Sequence, residues 1–110
     1  LGLAYARLGQ FERAIEDFDR AILLDPLVAL AFNNRGFTYR DLGKPDRAIE
    51  DLDRAILMDP QLALAYYNRA LAYTLVGRDL EAGRDIERAA ELGLETTLLS
   101  KQIEEIKEGR

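Results

Sequence analysis

The chain has 110 residues, a net charge of −5, 48% apolar and 32% charged residues, a balance that fits a folded domain rather than a disordered chain. Cysteine and histidine are both absent, which excludes a disulfide framework, a thiol nucleophile and an imidazole base, and leaves no expected zinc or iron site. No apolar run approaches the roughly 20 residues that span a bilayer, so no direct membrane insertion is expected, and the acidic balance argues against nucleic acid, whose binders neutralise phosphate with a basic footprint.

The chain overlays on itself at a shift of 34 residues: Leu1 to Pro26 and Arg35 to Pro60 agree at sixteen of 26 positions. Such a period marks a stack of like structural units. The expected organisation is a first repeat at 1–28, a second at 29–62, a third at 63–94, and a capping helix with a frayed tail at 95–110, forming one domain. The first repeat lacks the start of its first helix. Its remaining piece, Leu1 to Leu8, is short and would lean on neighbours. With no starting Met or leader, Leu1 reads as a cut inside a longer chain or a processed start. The lack of cysteine suits a reducing cytosol and is compatible with the periplasm.

In the second repeat, Phe32, Gly36 and Tyr39 share one helix face. Gly43 ends that helix and Pro45 suits the first turn of the next. Ala48, Leu52, Ala55 and Ile56 form the second stripe, and Asp59-Pro60 stops it. Small residues recur in register: Gly2, Gly36 and Ala70; then Ala14, Ala48 and Ala82; then Ala21, Ala55 and Ala89. Small side chains let two helices approach closely. The third copy is more diverged but keeps Tyr73, Gly77, Ala82 and Ala89. After Gly93, Thr96 or Thr97 is placed to cap a last helix, with Leu99, Ile103 and Ile106 on its apolar side and charged residues, Glu105 among them, outside.

In this order, the glycine, tyrosine, leucine-glycine, alanine and proline landmarks resemble the tetratricopeptide repeat. The resemblance covers Leu1 to Leu94. Leu52 and Ile86 depart from it where Phe18 keeps an aromatic, and Gly93-Leu94 replaces Asp-Pro. It implies an all-α solenoid of antiparallel helix pairs, right-handed, with a C-terminal capping helix. It also implies that the first helix of each repeat lines a concave groove. The groove residues expected to meet a partner are then Leu3, Arg7, Asn33, Asn34, Phe37, Arg40, Tyr67, Asn68, Leu71 and Thr74. The paired amides of Asn34 and Asn68 can hold a peptide backbone, and Phe37, Tyr67 and Leu71 can anchor its side chains.

The function expected is a non-catalytic scaffold or adaptor that binds a partner peptide segment in this groove. The alternative is self-association through the repeat ends, giving a homo-oligomer. Because the first helices hold Arg7, Arg35, Arg40 and Arg69 against one acid, Asp41, the partner is expected to be neutral to mildly acidic. One subfamily of this repeat clamps the terminal carboxylate of chaperones with basic residues and asparagines. Asn34 matches one of these, but Leu3, Tyr67 and Leu71 occupy the basic places, so that role is not expected here.

No catalytic, cofactor or metal site is expected. Asp17-x-Asp19 and Asp51-x-Asp53 have ligand-like spacing, yet residues two apart on a helix diverge. They read as a solvated face with local pairs such as Glu16–Arg20 and Glu50–Arg54. Arg35 and Arg69 recur sixteen residues before Asp51 and Asp85, which predicts an ion pair between the two helices of each repeat, the alternative being that these arginines face a ligand.

Overall fold

The computed structural model describes the backbone of residues 2–110 and the side chains from residue 8 onward. Six helices follow in order among these residues: α1 Gly2–Leu24, α2 Ala29–Asp41, α3 Pro45–Met58, α4 Ala63–Leu75, α5 Asp79–Glu91 and α6 Thr97–Gly109. No strand occurs among them.

The stops are set by local chemistry. Among the described residues Gly43, Gly77 and Gly93 alone take positive φ, at 78°, 80° and 97°. At each the chain closes the same pair of bonds. The N–H of Lys44 donates to the Tyr39 carbonyl at 2.8 Å and that of Gly43 to Arg40 at 3.0 Å; Arg78 and Gly77, then Leu94 and Gly93, repeat the pattern. This glycine stop satisfies carbonyls that the helix end would otherwise leave unpaired. The other turns use the Asp-Pro pairs. Asp25 and Asp59 each accept the backbone N–H two residues on, from Leu27 at 3.1 Å and Gln61 at 3.0 Å, while Pro26 and Pro60 bar the preceding residue from helical geometry.

Helices α2 and α3 pack as one pair and α4 and α5 as another; α3 rests on α4, α1 on α2, and α6 on α4. The core between them holds Phe32, Ala48, Leu52, Ala55, Ala65, Ala70, Tyr73, Ala82, Leu99 and Ile103. The small-residue register has the expected consequence. A Cβ built on Gly36 would stand 2.9 Å from Leu52 Cγ and 3.2 Å from the Ala48 carbonyl oxygen. Only a hydrogen side chain permits that approach.

Three expectations are corrected. First, residues 2–8 are not a separate helix: α1 runs unbroken from Gly2 to Leu24, and Gly9 lacks the positive φ of Gly43 and Gly77. Phe11 stands where Pro45 bars helix at Lys44, so nothing local forces a break. Second, the last helix is capped by Glu95, whose carboxylate accepts the Thr97 N–H at 2.6 Å, and not by a threonine side chain. Third, the tail does not fray. Helix α6 extends to Gly109, and the Arg110 guanidinium bonds both oxygens of Asp79 at 2.8 Å and the Thr74 carbonyl at 3.1 Å.

Candidate functional site: the concave face of α2, α4 and α6

The arginines recurring at Arg35 and Arg69 turn toward the second helices. Arg35 donates from Nε and Nη2 to Asp51 on α3, both at 2.8 Å, and from Nη1 to Asp19 on α1 at 2.9 Å. Arg69 repeats this with Asp85 on α5 and Asp53 on α3. The predicted pairs Arg35–Asp51 and Arg69–Asp85 are therefore present, and each arginine also reaches back to the preceding second helix. Bidentate guanidinium–carboxylate bonds fix orientation as well as charge, so this ladder sets the spacing of successive pairs. The bonds from Asp51 hold the Arg35 guanidinium above its ordinary value. Burial pushes the Asp85 carboxyl up, and the bonds from Arg69 pull it only partly back.

The ladder also corrects the reading of the aspartate pairs. Asp51 is buried, and it diverges from Asp53 so that the two bind different arginines. Among the described residues Arg20 pairs with Asp17, at 3.6 Å, and neither Glu16–Arg20 nor Glu50–Arg54 lies within ion-pair distance.

The groove candidates divide by burial. Leu3 and Arg7, with the close approach expected at Gly2, lie outside the described side chains. Asn33, Asn68, Leu71 and Thr74 are buried. The Asn68 amide donates to Asn33 Oδ1 at 3.1 Å and the Asn33 amide to Asn34 Oδ1 at 3.3 Å, while Arg40 reaches Asn68 Oδ1 at 3.5 Å. These amides form a polar floor that satisfies itself. Thr74 has no exposed surface and donates its hydroxyl to the Ala70 carbonyl at 2.8 Å; it packs, and does not line the groove. What remains open is Asn34, Phe37 and part of Tyr67 and Arg40.

Around that floor lies a concavity of about 320 Å³ lined by Asn33, Asn34, Phe37, Leu64, Tyr67 and Asn68. Phe37 is 43% and Leu64 48% exposed. Leu64 was not among the expected groove residues. Leu30 and Leu98 stand at its register on α2 and α6, also half exposed. The signal was present in the sequence as a leucine recurring every 34 residues at the second position of a helix. Arg40 lies over the Phe37 ring at 4.7 Å and bonds Asp41 at 3.2 Å.

Helix α6 closes one side of this face. Leu99 and Ile103 are buried against α4, Tyr67 donates its hydroxyl to Gln102 at 2.7 Å, and Arg110 pins the far end to Asp79. Asp79 and Glu95 are both held below their ordinary values, Asp79 by the bonds from Arg110 and Glu95 by the bonds from Thr97. Lowered carboxyls favour the docked helix wherever they are ionised, so their contribution is full above their ordinary values of 3.8 and 4.5 and is lost as pH falls through the lowered ones. Amide exchange in α6, corrected for intrinsic rate, is therefore expected to rise at acid pH before that of α3. Simultaneous loss of protection in both helices would contradict this.

The tetratricopeptide repeat profile matches residues 1–26 and 29–62. No curated protein matches the sequence. Among solved structures, the first tetratricopeptide domain of Spaghetti (RPAP3), bound to the HSP90 peptide SRMEEVD, is 25% identical, with a TM-score of 0.83 over 98% of this chain and 86% of that one. Its second such domain, bound to the same peptide, is 35% identical, with a TM-score of 0.75 over 83% and 84%. The second domain of human RPAP3, in complex with the HSP70 peptide SGPTIEEVD, is 32% identical, with a TM-score of 0.80 over 96% and 88%.

Proposed function

This chain belongs to the tetratricopeptide repeat family, and from that premise we propose that it is a non-catalytic adaptor holding a partner peptide segment along the concave face of α2 and α4. The observation that carries the reading is the half-exposed apolar pair Phe37 and Leu64, set beside the outward amide of Asn34 in one concavity. An apolar side chain seated there loses water, and the amide can bond the backbone beside it. The related domains of RPAP3 are bound to HSP90 and HSP70 peptides, which supports a peptide ligand here. The alternative of assembly through the repeat ends gains no support from these relatives.

The related peptides end in acidic residues and a terminal carboxylate. The concave face described here is poorly suited to that end. Arg35 and Arg69 are turned toward the second helices, and Arg40 is committed to Asp41 and Phe37. Among the described side chains these commitments leave little free basic surface, and a largely apolar segment fits best.

The test uses a dodecapeptide selected on this chain from a random library. Phe37→Ala is expected to weaken its binding about tenfold or more, the cost of truncating an aromatic anchor. Asn34→Ala should weaken it about fivefold, the worth of one hydrogen bond. Because Phe37 is half exposed, its loss should barely move the melting temperature, whereas Asn34→Ala takes an acceptor from the buried Asn33 amide and should lower it a little. Asn68→Ala should lower it more, by breaking the centre of the amide floor. Unchanged affinity in both Phe37→Ala and Asn34→Ala would remove the reading.

A further inference from the structure

A second concavity, of about 490 Å³, follows the first along the same face. Its apolar part is Leu71, Leu75 and Ile106, and its rim carries Arg40, Asp41 and Glu105. Asn34 and Asp41 mark the two sites on α2, seven residues apart, so their centres are separated by about 10 Å at the rise of a helix. An extended chain covers that distance in about two to four residues, and side chains two or four apart share a face.

The charges on the rim do not cancel. Arg40 is drawn into the wall: its side chain is only 14% exposed, it bonds Asp41, it reaches Asn68, and it lies over Phe37. It neutralises Asp41. Glu105 is exposed, and among the described residues no cation lies within ion-pair distance of it, whereas Glu104 beside it is paired with Lys107. The second site therefore sets one uncompensated carboxylate beside an apolar floor. A lysine or arginine suits such a place, because its stem can lie along Leu75 and Ile106 while its head stays wet at Glu105. An acidic residue there meets like charge.

We propose that the groove selects segments with two apolar side chains two or four residues apart in extended form, so that both face the wall, and a lysine or arginine near the second whose head reaches Glu105. This deepens the peptide-binding reading above and rests on it. The test is to pan a displayed random dodecapeptide library separately against the wild-type chain, Glu105→Lys and Phe37→Ala. On the wild type, the enriched peptides should carry the apolar pair with a basic residue beside its second member. Exchanging that residue for glutamine should weaken binding about two- to fivefold, the range of an exposed ion pair. On Glu105→Lys the basic preference should vanish or turn acidic while the apolar pair persists. Peptides that need Phe37 but show no charge preference, or the same preference on Glu105→Lys, would overturn the proposal and leave groove binding intact. Peptides indifferent to Phe37 would overturn groove binding itself, and this proposal with it.

Discussion

Replacing Gly36 with valine is expected to destabilise the fold by about 3 kcal/mol, the upper end for overpacking a core. Its Cβ would meet Leu52 Cγ at 2.9 Å and the Ala48 carbonyl oxygen at 3.2 Å. Neither can give easily: Leu52 is fully buried and the oxygen is backbone. Helix propensity opposes the effect, since glycine inside a helix is the poorer former by a few tenths of a kcal/mol, so the loss must come from the contact. Leu52→Ala alone should cost about 2–5 kcal/mol by leaving a cavity. In the double variant the valine can occupy part of that space, so the two costs should fall short of their sum by about 1 kcal/mol or more. Urea unfolding of the four chains measures this. Strictly additive costs would mean that α2 and α3 do not meet where Gly36 and Leu52 are placed.

The ion-pair ladder should show an equally uneven response. Asp85 accepts two bonds from Arg69 at 2.8 Å, with its side chain only 5% exposed, while Asp53 accepts one at 3.0 Å and is 54% exposed. Removing one partner of a buried pair strands the other charge. Arg69 would keep Asp53 and some water, so Asp85→Ala should cost about 2–3 kcal/mol, less than a fully buried pair. Asp53→Ala should cost about 1 kcal/mol or less. Equal shifts of the urea midpoint in the two variants would contradict the geometry.

Much of the fold could be read from residues alone because its stops and contacts are local. Gly43 and Gly77 end helices by a backbone conformation that other residues resist, and Asp-Pro ends them by exclusion. Gly36 and Ala48 recur at a spacing that demands close approach. The Arg35–Asp51 pair was legible for the same reason, being repeated at Arg69–Asp85. The first helix was not, because Gly9 looks like Gly43 although Phe11 follows it where Pro45 follows Gly43. Nor was Arg110, whose partners Asp79 and Thr74 are set by the docking of α6.

The groove was only partly visible. Sequence spacing places Asn33, Asn68 and Phe37 on the first helices, but not which of them turns toward the neighbouring helix. Asn68 meets Asn33, 35 residues back, and not its own equivalent Asn34. That offset of one comes from how the pairs are stacked. It buries two amides that looked available and leaves Asn34 outside. Leu64 was passed over because an isolated surface leucine is unremarkable until a concavity is found around it.

The most direct measurement is to bind a library-selected dodecapeptide to isotope-labelled chain and map the perturbed side-chain signals. Changes gathered on Asn34, Phe37, Leu64 and Tyr67, with the α3 and α5 surfaces at Glu50, Arg54 and Glu87 undisturbed, are what a concave peptide site requires. Changes gathered on α3 and α5 with Phe37 and Leu64 silent would place binding elsewhere and contradict it.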